Sequence, residues 1–229
     1  MVQRRVVLFD VDGTLIDTGG AGGRSWSFAF HEAFGVEGDI RKFSEVGMTD
    51  PVVARATFKG TIGREPTTDE VIRLMMRYVL RLPVEVDSSP GYRVMPGVED
   101  LLARLVEADT LLGLVTGNIE GAAHIKLSRA RLGRYFLFGG YGSDSSVRSD
   151  LTLAAIARAE ALSGHHIDPA EVIVVGDTPR DIEAAHGAGT IAVGVATGEF
   201  DDEALRDAGA EHVLRSFADD DFPSGGPRS

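Results

Sequence analysis

The sequence predicts an α/β protein with a Rossmann-like parallel sheet core and an inserted α-helical lobe. Three observations carry this. Short apolar runs rich in β-branched residues recur near 6–9, 111–115, 135–138, 172–175, 191–195 and 211–214. From residue 96 onward they alternate with segments whose apolar residues follow a helical period. Such alternation builds a parallel sheet with helices on both faces. The alternation is interrupted once, between residues 19 and 92, where helix-like segments dominate and strand signals are sparse. The expected division is a core of residues 1–18 and 93–229 and a helical lobe of residues 19–92.

The first run, Val6 to Phe9, ends abruptly in Asp10-Val11-Asp12-Gly13-Thr14. Side chains alternate along an extended chain, so Asp10 and Asp12 are expected to point the same way. Gly13 permits the turn that follows. Paired carboxylates at a strand end repel, and a cation, a proton or a reaction must justify them. The chain has no cysteine and no clustered histidine, and hard oxygen donors suit Mg²⁺. Gly19-Gly20-Ala21-Gly22-Gly23 reads as a flexible or tightly turned connection. Beyond it, Trp26, Phe28, Phe30, Ala33 and Phe34 recur at helical spacing up to Gly35. Arg24 is a candidate for meeting an anionic substrate tail, or a surface charge. Gly47-Met48-Thr49-Asp50 reads either as a loop facing the site, with Thr49 as a substrate contact, or as a helix N-cap before Pro51. Val71, Leu74, Met75, Tyr78 and Val79 mark the clearest helix of the lobe.

Pro96 restarts the core. A helix follows on Val98, Leu101, Leu102, Leu105 and Val106, then a strand over 111–115 that ends in Thr116-Gly117-Asn118. A helix over 119–132, a strand over 135–138, a helix over 151–162 and a strand over 172–175 come next. That last strand ends in Gly176-Asp177, and Pro179 suits the first turn of the next helix. In open parallel sheets, ligands gather beyond the carboxyl ends of the strands. Asp10, Thr116 and Asp177 are each expected there. Thr116 can donate to a phosphoryl oxygen or cap a helix, and the amides of Gly117 and Asn118 at a helix start attract anions. Asp181, one turn past Asp177, can lean back toward the site or complement the helix dipole.

The octet Leu8-Phe9-Asp10-Val11-Asp12-Gly13-Thr14-Leu15 resembles the first signature of the haloacid dehalogenase superfamily, in its phosphatase branch. Leu114 to Asn118 and Val174 to Asp181 are similar to its second and fourth signatures, and the inserted lobe takes the place of its cap domain. The resemblance implies Asp10 as a nucleophile that forms a phospho-aspartyl intermediate. It implies Asp12 as general acid and then base, an aspartate that dehalogenases lack. Thr116 would hold a phosphoryl oxygen, with Gly13, Thr14, Gly117 and Asn118 around the phosphate. Asp177, Asp10 and the backbone carbonyl of Asp12 would ligate Mg²⁺, with Asp181 assisting. The third signature departs from the family. Its usual lysine is missing from residues 145–151, where Arg148 takes the expected place. Arginine supplies charge in a different geometry. Lys126 competes for the role, but it lies roughly 10 Å along the helix from the strand end at 1.5 Å per residue, so Arg148 is preferred.

The expected activity is Mg²⁺-dependent hydrolysis of a small phosphomonoester, phosphoglycolate-like or a sugar phosphate. A β-phosphoglucomutase-like mutase and a non-catalytic phosphometabolite-binding protein are the alternatives. The net charge of −12 argues against a nucleic-acid partner. No apolar stretch is long enough to span a membrane. The chain enters its first strand at once, with no room for a signal peptide, so a cytoplasmic location is expected. A small phosphorylated metabolite is the expected partner, for a monomer or homodimer. The histidines lack metal-ligand spacing, and Asp219-Asp220-Asp221 reads as a solvated tail.

Overall fold

The computed structural model describes residues 4–218 and 222–223; the acidic run 219–221 lies outside the described residues. Strand β1 (Val6–Phe9) is buried along its whole length. It is followed by β2 (Ile16–Thr18), then by helices α1 (Ala21–Phe34), α2 (Asp50–Ile62) and α3 (Thr68–Ser88). Strand β3 (Tyr92–Val94) returns the chain, and α4 (Val98–Glu107), β4 (Leu111–Thr116), α5 (Glu120–Ser128) and β5 (Phe138–Tyr141) follow. Helix α6 (Arg148–Ser163), β6 (Ile173–Gly176), α7 (Pro179–Gly187), β7 (Ile191–Val195), α8 (Asp202–Asp207) and β8 (His212–Leu214) complete the chain.

Six strands form one parallel sheet in the order β5-β4-β1-β6-β7-β8. Alternation along β1 sorts its side chains between two cores. Val7 and Phe9 pack with Leu102 of α4 and Leu127 of α5. Val6 and Leu8 pack with Leu151 of α6 and Ile182 of α7. Covering both faces explains why the strands are near-continuous apolar runs. Strand β1 is the switch point, because the chain proceeds from it to β4 on one side and reaches β6 on the other. The crevice beyond its carboxyl end is therefore the expected ligand site.

Helices α1, α2 and α3 share a separate apolar cluster built on Trp26, Phe30, Phe58, Leu74, Tyr78 and Leu82. Thr67 and Glu70 form a reciprocal capping box that starts α3. No helix among the described residues is long and apolar enough to cross a membrane.

Several local expectations are corrected. The two crossings into and out of the helical segment pair as an antiparallel ribbon, Ile16 with Val94 and Thr18 with Tyr92. Arg93 meets Asp17 at 2.8 Å across it. Three-residue strands are too short to leave a periodic signal. The glycine run is only partly a turn: Gly19 and Gly20 have φ of 60° and 79°, whereas Gly22 and Gly23 already belong to α1. The strand expected over 135–138 is β5, at 138–141. Leu132–Tyr135 instead forms a 3₁₀ turn, and Leu137 is 69 % exposed. Two glycines sit inside β5, and at Gly140 a side chain would run into the backbone of Leu151 on α6. Close helix approach, not apolar patterning, sets that strand. Helix α5 ends at Ser128 rather than 132, and α6 begins at Arg148 rather than 151.

Candidate active site

A cavity of about 250 Å³ opens beyond β1, between the sheet edge and the helical segment. Its floor is made by strand ends. The amide of Asp10 still pairs with the Val175 carbonyl at 2.9 Å, so the β6 ladder fixes the residue just past β1. The chain then turns, with the amides of Leu15 and Ile16 bonded to the Val11 carbonyl at 3.0 and 3.1 Å. Asp10 and Asp12 both line the cavity, although β1 itself stops at Phe9. Gly13, at φ 79°, lies against the Asp177 carboxylate, where any side chain would collide with it.

Asp10, Asp177 and Asp181 each offer an oxygen within 4.8 Å of the others. All three are buried. Burial, then the charge of Asp181, push the carboxyls of Asp10 and Asp177 well above the usual carboxylate range. The Thr14 hydroxyl donates to Asp177 at 2.9 Å. Thr178 and Asp181 form a capping box at the start of α7, with Asp181 accepting from the Thr178 amide at 3.0 Å and hydroxyl at 2.8 Å. Arg148 donates to the other oxygen of Asp181, lies 4.0 Å from Asp10, and donates to the Gly47 carbonyl at 2.8 Å. Burial opposes its charge, but Asp181 and Asp10 outweigh that and raise its pKa.

Asp12 turns away from this triad. Its Oδ2 accepts from Lys126 Nζ at 2.6 Å and from Asn118 Nδ2 at 2.8 Å. Asn118 also donates to the Thr116 hydroxyl at 2.8 Å and accepts from Lys126 at 2.6 Å. Burial disfavours the ammonium of Lys126, yet Asp12, Tyr78 and Asp50 more than compensate and hold it charged. Axial rise alone counted against Lys126. Helical side chains tilt toward the N-terminus and lysine has a flexible stem, which carries Nζ back to the strand end.

The structure thus brings together Asp10, Asp12, Thr116, Gly117, Asn118, Lys126 and Arg148 around one cavity, with Gly13 and Thr14 behind Asp177. Arg148 and Lys126 both reach it, one at the triad and one at Asp12. Two expected contacts lie elsewhere. Arg24 is held by Glu85 at 2.8 Å and by the Gly19 carbonyl at 2.9 Å, beside a different depression. Thr49 is buried at the N-cap of α2 without a side-chain capping bond, and it does not line the cavity.

Asp50, Trp26 and Tyr78 are among the lining residues that the sequence reading did not name as site residues. Asp50 accepts from the Ile119 amide at 2.9 Å, and its own amide donates to the Gly117 carbonyl at 2.7 Å. Burial pushes its carboxyl up to about 6, against the pull of Lys126. Trp26 and Tyr78 stack at 4.3 Å with 10° between their rings. In the sequence, both lie on the apolar faces of their helices and look like core, which they also are. Only Asp50, an acid beside Pro51 at a helix start, carried a signal, and capping explains it equally well.

Fold and site define an α/β enzyme that handles its ligand at the carboxyl edge of a parallel sheet. The family model of the haloacid dehalogenase-like hydrolases matches residues 7–195, and the chain belongs to that family; it is a phosphatase-type hydrolase. It is 29 % identical to a phosphoglycolate phosphatase of Synechococcus elongatus, over 94 % of each chain. It is 27 % identical to the phosphoglycolate phosphatase of Escherichia coli strain K12, over 94 % of this chain and 90 % of that one. A crystal structure described as a predicted phosphoglycolate phosphatase of Haemophilus somnus superposes with a TM-score of 0.72 at 20 % identity, covering 96 % of this chain and 97 % of the other.

Proposed function

We propose that the protein is a Mg²⁺-dependent phosphatase of small phosphomonoesters that works through a phospho-aspartyl intermediate on Asp10. The observation that carries this is the meeting of Asp10, Asp177 and Asp181 within 4.8 Å, with Asp10 and Asp12 lining the cavity. Three buried acids at this spacing repel strongly. The raised proton affinity of Asp10 and Asp177 and the all-oxygen donor set of the three fit a hard divalent cation. Asp10, Asp177 and Asp181 would hold it, with the Asp12 carbonyl as the further donor expected from the family. Bound there, the ion would neutralise charge on the phosphoryl group.

The chain's own groups account for the remaining chemistry. Asp10 attacks phosphorus, and the bond to the leaving oxygen breaks as Asp12 gives that oxygen a proton. Water then attacks phosphorus, Asp12 takes its proton, and the bond to Asp10 breaks to release phosphate. Thr116, the Gly117 and Asn118 amides and Arg148 would bind the non-bridging oxygens. Lys126 and Asn118 hold the Asp12 carboxylate in place. The helical segment, residues 19–92, serves as a cap that excludes water and seats the leaving group. The relatives' names make phosphoglycolate one candidate substrate, and a sugar phosphate is another.

Phosphate release from p-nitrophenyl phosphate, with Mg²⁺ and with EDTA, tests the reading. Turnover is expected only with the ion, and Asp10→Asn should lower kcat by at least about 10³-fold. An Asp10→Asn enzyme as active as the parent would overturn it.

A further inference from the structure

The outer half of the cavity has an unusual charge inventory. The cations in its lining are Lys126 and Arg148. Both are spent. Lys126 donates to Asp12 and Asn118, each at 2.6 Å, and the Tyr78 hydroxyl is its third hydrogen-bond neighbour. An ammonium has three donors, so none remains. Arg148 is bonded to Asp181 and the Gly47 carbonyl, and in the phosphatase reading its remaining N–H groups meet the phosphoryl oxygens rather than the leaving group. Arg24 and Arg180 do not line the cavity and are paired with Glu85 and Glu45. The charge that does face the outer cavity is negative: Asp50, 7 % exposed, which lines it. The rest of the lining includes the Trp26–Tyr78 stack, aliphatic side chains such as Ile40 and Val53, the threonines Thr18 and Thr178, and the glycine backbone around the start of α1.

We infer that the leaving group this cavity accepts is an uncharged alcohol of a few carbons, and that esters bearing a carboxylate beside the phosphoryl group are selected against. A carboxylate there would enter a largely apolar enclosure beside Asp50 with no cation to meet it. Burying an unpaired charge next to a like charge is costly. A short alkyl or hydroxyalkyl body meets the aromatic stack and the aliphatic side chains instead. The volume of about 250 Å³ must also hold the phosphoryl group. It lies below the ~300 Å³ at which pockets for drug-sized ligands begin, which favours a small leaving group. This inference rests on the phosphatase reading and chooses within it, setting aside the carboxylate-bearing substrate that the relatives' names suggest.

The test has a turnover arm and a binding arm. In the first, propyl phosphate and 2-phosphoglycolate are compared with Mg²⁺. The kcat/KM for propyl phosphate should be at least about tenfold higher, as one poorly met charge implies. Asp50→Asn, which removes the charge and keeps an acceptor for the Ile119 amide, should bring the ratio several-fold closer to one. Equal or better use of 2-phosphoglycolate by the parent enzyme overturns the inference. In the second arm, calorimetry compares propylphosphonate with 3-phosphonopropionate, which need not react. The neutral phosphonate should bind about tenfold more tightly. No binding of either, or tighter binding of the acid, overturns the inference. If neither ester is hydrolysed while the phosphonates keep this order, the phosphatase reading fails and the preference of the cavity stands.

Discussion

Two walls of one cavity are built by different rules. The sheet wall places Asp10 and Thr116 at the ends of β1 and β4, with Asp177 behind them at the end of the adjacent β6. Their meeting follows from strand order, so backbone ladders determine it. The helical wall presents Trp26, Tyr78 and Asp50, whose positions follow from how α1, α2 and α3 pack on one another. The sheet wall is crowded with charge and held by hydrogen bonds to backbone and side chains. The helical wall is mainly aromatic and aliphatic, with a single acid. Under the proposed mechanism the contrast separates two tasks: strand ends would carry the reaction, and helix packing would choose what reacts.

Substitutions at the two cations challenge this separation most severely. Arg148→Ala removes the partner of Asp181 and the positive charge 4.0 Å from Asp10. Losing one such donor at a developing charge should cost about 10²–10³ in kcat. Lys126→Ala instead frees the Asp12 carboxylate, so its effect on kcat should be smaller, about tenfold. Its larger effect should be on stability. Removing one partner of a buried pair is strongly destabilising, but the Asp12 side chain is 43 % exposed. A loss of about 1–3 kcal/mol in urea unfolding is expected. Equal kinetic damage from the two variants would mean that the walls do not divide the work.

Asp50 sharpens the comparison from the helical side. Its folded pKa, about 6, lies above the ordinary carboxylate value, so the native state binds the proton more tightly than the unfolded chain. This residue therefore adds stability as pH falls from about 7 to about 4, and its ionisation withdraws that stability as pH rises through 6. Asp50→Asn should be stabilised by up to about 3 kcal/mol near pH 7.5, with the gain vanishing near pH 4. Denaturant melts of both proteins in EDTA read the difference directly. A variant that gains nothing at high pH would show that the buried carboxylate costs the fold nothing.

The smallest expected effect lies far from both walls. Thr67→Ala removes the capping hydroxyl of α3, which accepts from the Glu70 amide at 3.3 Å. It should cost about 1 kcal/mol and leave kcat unchanged. A clear change in KM would show that the far end of α3 communicates with Tyr78, and that lobe packing and ligand fit are less separable than drawn here.

The same division explains what could be read without coordinates. Val6 to Phe9 and the run before Asp177 are β-branched and apolar, and each ends in acid. That pattern allows few readings, so the sheet wall was visible from residues alone. Trp26 and Tyr78 satisfy a helical apolar period whether or not they border a ligand, and burial on one side hides the other role. Lys126 stays a competitor in the sequence because axial rise counts against it while a flexible stem can reach back, and only the packed side chain settles Nζ at 2.6 Å from Asp12. Strand β5 was displaced because its glycines are chosen for a neighbouring helix, an interaction that local propensity does not encode.

The ribbon formed by β2 and β3 has a practical meaning for the protein's architecture. Thr18 and Tyr92 already face each other across an antiparallel ladder, and a two-residue reverse turn can close such a pair. The intervening seventy-odd residues are therefore topologically a detachable cassette, entered and left at one spot. A different module grafted between those positions would inherit the same anchorage, so evolution or an engineer could exchange one helical insert for another without altering the threading of the sheet beneath.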